Sequence, residues 1–127
     1  MMNSNKERKF DLEERLIDYA ILMSDLIEQL PDSKFCNHIG GQLIRSGTSP
    51  ALNYGEAQSA ESVNDFIHKL KIILKELRES NICLKMLLRK SSLELKNLII
   101  TSQTETNELI SIFVKSVQTA KANSSKK

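Results

Sequence analysis

The stretch Ile39-Gly-Gly-Gln-Leu-Ile-Arg-Ser-Gly-Thr-Ser-Pro-Ala-Leu-Asn-Tyr-Gly-Glu-Ala57 decides how the chain is read. Its spacing is helical, yet its most regular stripe is polar. Gln42, Arg45, Ser49, Asn53 and Glu56 follow at intervals of 3, 4, 4 and 3, one line on a helix. A surface helix normally shows the reverse, an apolar line among scattered polar residues. Ser and Asn are poor helix formers, so a line that contains them implies partners for their side chains. Phe35, Ile39, Leu43 and Ser46 make the apolar-to-small face of the same helix, placed at about Lys34 to Ser59. Pro50 lacks a backbone donor and crowds the preceding turn. The spacing therefore predicts a kink near Ser46 to Pro50; the alternative is a break, with Ser49 capping a new helix.

Three further helical patterns surround this one. Upstream, Leu16, Ala20, Met23, Ile27 and Leu30 repeat at heptad-like intervals over about Asp11 to Leu30. Asp11, Glu14, Asp18, Asp25 and Glu28 form a separate acidic line there. Leu30-Pro31 ends that helix, because the residue before proline avoids helical geometry, and Asp32 or Ser33 can cap the next. Downstream, Ser62 with Asp65 is a capping-box-like start. Phe66, Leu70, Ile73, Leu77, Leu84 and Leu88 then mark a core face to about Lys90, widened by Ile67, Leu74 and Leu87. Lys71, Lys75, Arg78, Lys85 and Arg89 share a different, basic face. The last helix runs from about Leu93 or Glu94 to Ala122. Its inward side is Leu95, Leu98, Ser102, Leu109, Phe113, Val117 and Ala120, and the Thr/Ser-rich stretch from Thr101 to Thr106 weakens its continuity.

Four amphipathic segments with short links predict an all-α, antiparallel up-down-up-down four-helix bundle over residues 11–122. Residues 1–10 and 123–127 are expected to be flexible. Composition agrees: 127 residues suit one domain, and 4 Gly, 2 Pro and 5% aromatics favour helices over strands. Charge is unevenly divided. Residues 1–61 hold six Lys/Arg against ten Asp/Glu, and residues 62–127 hold twelve against six. That imbalance fits either two halves that pair, within or between subunits, or a basic face for an acidic partner. Cys36 and Cys83 lack a CxxC spacing, no membrane-length apolar run is present, and no secretory signal is expected. Reduced thiols in the cytoplasm are expected.

No catalytic constellation emerges. His38 and His68 have no metal-like spacing to Cys or carboxylates, and Asp65 with His68 is a single weak imitation of the paired motif of di-metal bundles. Ser46 and Ser49 stand near Arg45, but no histidine base is placed beside them. Gly40-Gly41 follows helical sequence rather than a strand, so no phosphate loop is formed. No metal, cofactor or enzymatic activity is expected. The polar line admits two functions. It can join Gln42, Arg45, Ser49, Asn53 and Glu56 to Asp65, Lys75 and Glu76 as a buried network that fixes helix register. Alternatively, Arg45 can line a cleft and meet a phosphate. The basic line can pair with the acidic line of the first helix, or contact nucleic-acid phosphates with Lys71, Lys75, Arg78, Lys85 and Arg89. Aromatic residues are nearly missing from it, which argues against specific single-strand recognition.

Gln42-Leu-Ile-Arg45-Ser46, Thr48-Ser49, Asn53, Glu56-Ala57, Asp65-Phe66, Lys69, Ile72, Lys75-Glu76 and Glu79 resemble the four-helix-bundle family encoded by intervening sequences of bacterial 23S rRNA genes. Accessory proteins of diversity-generating retroelements are related to it. Tyr19-Ala20, Leu30-Pro31, Glu105 and Glu108-Leu109 also fit. Pro50 departs from the usual aliphatic residue, and Ile82-Cys83 replaces a frequent aromatic pair. The resemblance implies a homopentameric ring without enzyme activity. Its retroelement members further imply binding to nucleic acid and to a reverse transcriptase. In such a ring, the acidic first helix could face the basic third helix of the next subunit.

Overall fold

A computed structural model describes residues 11–125 and contains four helices: α1 (Leu12–Glu28), α2 (Lys34–Gln58), α3 (Val63–Lys90) and α4 (Leu93–Ser125). Among the described residues there is no strand. Short links at residues 29–33, 59–62 and 91–92 force neighbouring helices to run antiparallel. The partners confirm the direction: on α2 and α3, Ser46 meets Ser80 while Glu56 meets Lys69. The backbones of α1 and α2, α2 and α3, α3 and α4, and α4 and α1 pack together, whereas α1 and α3 occupy opposite corners, as do α2 and α4. This is the expected up-down-up-down bundle.

Local chemistry sets the helix ends. The side chain of Asp11 accepts the amide of Glu14 at 3.1 Å. Ser33, rather than Asp32, caps α2 by accepting from the Cys36 amide at 3.1 Å, and Ser62 accepts from Asp65 at 3.0 Å. Each such cap satisfies a donor that the first turn leaves unpaired. α1 stops at Glu28, ahead of Leu30-Pro31. α2 runs through Pro50 without a break, which removes the capped-restart alternative. Pro50 is buried there, and the Ser49 hydroxyl accepts from Asn53 instead of capping a helix. α4 is continuous through its Thr/Ser-rich middle and reaches Ser125, beyond the expected end. Thr104, Thr106 and Ser102 turn their hydroxyls back to carbonyls four residues earlier, so these polar residues stay compatible with the helix. The expected flexible segment 1–10 and residues 126–127 lie outside the described residues.

The core contains Leu16, Tyr19, Met23 and Leu26 from α1, with Leu43, Leu70, Ile73, Leu77, Leu84, Ile99, Leu109 and Phe113 from the other helices. Each fully buried aliphatic side chain contributes about 1.5–3 kcal/mol before chain entropy is counted. Ala20, Ile27 and Leu30, expected at the α1 core, are only half-buried, and so are Phe35, Phe66, Leu88 and Leu98. Tyr19 and Leu26 take the inner positions on α1. At one end Tyr54 and Phe113 reach across a diagonal, with centroids 6.0 Å apart in an edge-to-face pair.

Candidate nucleic-acid interface

Three kinds of polar structure occur: a hydroxyl layer in the core, ion pairs along the seams, and two charged outer faces. In the layer, Ser46 and Ser80 bond at 2.8 Å, and Tyr19 and Thr106 at 2.7 Å. The Thr106 hydroxyl donates to the Ser102 carbonyl at 2.7 Å. A threonine hydroxyl has one hydrogen, so the Tyr19 phenol must be the donor in its bond to Thr106. Burial pushes that phenol above the usual tyrosine range, against the opposing effects of Thr106 and Ser80. The layer draws on all four helices and fixes their relative heights.

The polar line of α2 lies on the α2–α3 seam, and it is not one buried network. It breaks into three parts. Arg45 donates to Gln42 and, at 2.7 Å, to Glu79, while its other nitrogen is 3.7 Å from Glu76. Asn53 donates to Ser49 at 2.8 Å. Glu56 accepts from Lys69 at 2.7 Å, and this bond pushes the Lys69 ammonium up, with Asp65 adding a smaller attraction. The interruption has a register cause. The pairs Ser46–Ser80 and Glu56–Lys69 put Asn53 level with Ile72, which offers no polar partner, so Asn53 turns back along its own helix. Lys75 does not join the line; it faces outward. On the α1–α4 seam, Arg15 grips Glu105 with two bonds of 2.9 and 2.8 Å and reaches Glu108 at 3.3 Å. The bond to Glu105 is the main cause holding the Arg15 guanidinium above its usual value.

The basic line is intact. Lys71, Lys75, Arg78, Lys85 and Arg89 are all exposed on the outer face of α3, with His68 and Ile82 among them. Among the described residues none of the five belongs to an ion pair. From Lys71 to Arg89 the line extends about 27 Å at the helical rise. Arg45 stands apart from it, held by carboxylates on the seam. Because α1 and α3 are at opposite corners, the acidic line cannot neutralise this face within the same bundle.

Other candidate chemistry does not assemble. His38 and His68 are exposed on different helices, and no three His, Cys, Asp or Glu side chains gather to hold a metal among the described residues. Cys36 and Cys83 are buried free thiols; burial pushes Cys83 up, with Glu79 adding to the rise and Arg45 opposing it. Among the described residues no helix is long and apolar enough to cross a membrane.

Glu79, Lys69, Glu105 and Tyr19 entered the sequence analysis only through the family resemblance; their partners come from the structure. Helical spacing could have flagged Glu79, three residues from Glu76 on the same strip. Nothing local points Tyr19 at Thr106, since that contact joins the first and last helices.

The arrangement defines a class: a four-helix bundle with polar seams and one basic outer face. No family model and no curated protein matches the chain. Among solved structures, it is similar to a crystal structure from Bacteroides thetaiotaomicron VPI-5482, a protein of unknown function from the S23 ribosomal protein family. The two share 26% identity and a TM-score of 0.69, over 83% of this chain and 96% of the other.

Proposed function

We propose that this protein is a non-enzymatic helical scaffold that binds RNA through the outer face of α3. The observation that carries this is the row of five exposed cations, none of which has an ion-pair partner among the described residues. Phosphates are the partner that such a row attracts, and its lack of aromatic side chains makes the binding tolerant of sequence. The similar protein's placement in an S23 ribosomal protein family supports an RNA context. The resemblance to retroelement accessory proteins would add a reverse transcriptase as a protein partner. Action in the cytoplasm would keep Cys36 and Cys83 as thiols.

The test is gel retardation of single-stranded RNA against salt. Five phosphate contacts give a slope of about −3.5 in log affinity against log salt, or roughly a hundredfold loss between 50 and 200 mM. Changing Lys71→Gln and Lys85→Gln together should reduce the slope by about 1.4. Absence of retardation at low salt, or an unaltered slope in the double variant, overturns the proposal. A second reading, a module that contacts only proteins, is favoured by the exposed isoleucines of α1. It predicts no retardation at any salt.

A further inference from the structure

α1 is the shortest helix, 17 residues against 25, 28 and 33, and one end of the bundle is incomplete because of it. Arg15 of α1 meets Glu105 and Glu108, and Leu12, where α1 begins, is only about 4.5 Å further along the axis. α4 runs on from Glu108 to Ser125, about 25 Å. Along that stretch Ile112, Lys115, Ser116 and Thr119 keep to the side of α4 that carries Glu108 and faces α1. On α2, Gly47 faces Met23 of α1, and Tyr54 and Gln58 follow on the same side. Phe66 of α3 lies between the two strips. A groove of about 460 Å³ runs past Phe66, Ile112, Ser116, Thr119 and Ala120, and a second of about 600 Å³ runs from Phe66 past Tyr54, Gln58 and Val63. Among the described residues no side chain of α1 lines either groove. The track that α1 fills along the rest of the bundle is therefore open beyond Leu12.

We propose that this open track is the docking site for an amphipathic helix of a partner protein, with an apolar stripe, a carboxylate facing Lys115 and a cation facing Glu61. The occupant is a helix because the track continues the place of one: the same sides of α2 and α4 hold α1 a few turns away. Side chains three and four positions apart on one helix can fill both grooves at once. The stripe meets Phe66, Ile112 and Ala120, which are packed against the core but stay half-exposed at its open end. The charges follow from the rim. Lys115 lines the first groove and Glu61 the second; both are exposed, and among the described residues neither belongs to an ion pair. Such rim charges set register and partner choice, while the apolar contacts exclude water. α1 itself does not continue into the track, because Asp11 caps it: the Asp11 side chain accepts from the Glu14 amide, and its backbone has left helical geometry. The site is separate from the outer face of α3, so the docking does not rest on the RNA proposal.

The probe is a fluorescein-labelled peptide copying Leu12–Glu28 with Arg15→Glu. It carries the stripe that fills the track along the rest of the bundle, with a carboxylate where Arg15 stands over Glu105 and Glu108. Fluorescence anisotropy against the full chain should show saturable binding. Lys115→Glu should weaken that binding by about tenfold, and should strengthen binding of the peptide that keeps Arg15. Ala120→Arg places a bulky charge in the groove and should abolish binding of both peptides. Lys115 is exposed and Ala120 half-exposed, and circular dichroism checks that the helices persist in each variant. The peptide is acidic, so the basic face of α3 needs a control: the Lys71→Gln, Lys85→Gln variant should bind it as wild type does. Absence of saturable binding to the full chain, as when residues 1–10 or a second copy take the track, overturns the proposal. Binding that survives Ala120→Arg, or that falls in the Lys71→Gln, Lys85→Gln variant, overturns it too. Gel retardation reads RNA separately, so the two proposals can fail independently.

Discussion

Replacing Thr106 by Val should cost more than replacing Tyr19 by Phe, although both changes remove the same 2.7 Å bond. The difference follows from which atom gives the hydrogen. Thr106 donates to the Ser102 carbonyl, so the Tyr19 phenol donates to Thr106. Tyr19→Phe removes the donor and leaves Thr106 its carbonyl bond, a loss of about 0.5–1.5 kcal/mol. Thr106→Val removes the acceptor and leaves a phenol in the core, where Tyr19 is 1% exposed. An unsatisfied buried hydroxyl costs about 1–3 kcal/mol. Ser80 is the phenol's other polar neighbour and shares its hydroxyl oxygen with Ser46, so it offsets part of that cost and places the loss at the lower end of the range. In the double variant both polar groups are gone, so its loss should fall short of the summed single losses by about 1 kcal/mol. Urea unfolding of the four proteins, with slopes checked for constancy, reads the cycle. Equal losses for the single variants would refute the donor assignment. Additivity within about 0.3 kcal/mol would refute the bond itself.

Two further outcomes follow from packing and ionisation. A β-carbon at Gly47 would lie 2.7 Å from Cγ and 3.0 Å from Cβ of the fully buried Met23, so Gly47→Ala should destabilise by about 1–2 kcal/mol despite alanine's better helix propensity. Gly41→Ala and Gly55→Ala meet nothing within 4 Å and should stabilise by about 0.5–1 kcal/mol, a contrast that thermal melts resolve. Burial raises Tyr19, Tyr54 and Cys83 from ordinary values of 10.0, 10.0 and 9.0. At neutral pH these groups are neutral folded or unfolded. Above about pH 9 the unfolded chain loses protons that the folded chain keeps, so stability should fall as pH rises. A flat unfolding midpoint from neutrality into the tyrosine range would contradict this.

Heptad spacing revealed the four helices, their order and most of the core, because burial imposes a period that any local window displays. It erred where two side chains compete for one inward position. On α1, Ala20 and Ile27 sit on the flank of the stripe, and Tyr19 and Leu26 fill the centre. Tyr19 was invisible as a core residue because its hydroxyl needs a partner 87 positions away. Pro50 could not be settled locally either. A proline within a helix depends on what packs around it, and here it is buried inside an uninterrupted α2. The basic row was fully legible, since surface lysines and arginines keep the positions that helical geometry gives them. What the sequence left open was whether the acidic row neutralises it, and the diagonal placement of α1 and α3 answers that for a single bundle.

The residues that carry the family resemblance explain why a likeness in fold leaves function to be argued separately. Arg45 pairs with Glu76 and Glu79, Glu56 with Lys69, Glu105 and Glu108 with Arg15, and Tyr19 with Thr106. These contacts all tie one helix to its neighbour; they specify which helices adjoin and at what height. Half-exposed ion pairs add little net stability, about 0–1 kcal/mol each, so their weight lies in register more than in strength. The outer faces are less bound by that constraint: of the basic row only Lys75 is among the matched residues, Lys71, Arg78, Lys85 and Arg89 lie outside them, and Ile82 departs from them. Two bundles could therefore share every seam and present unlike surfaces to their partners. In this chain the surface terms are an acidic row and a basic row that the fold holds apart, and among the described residues the basic row has no ion-pair partner within the bundle.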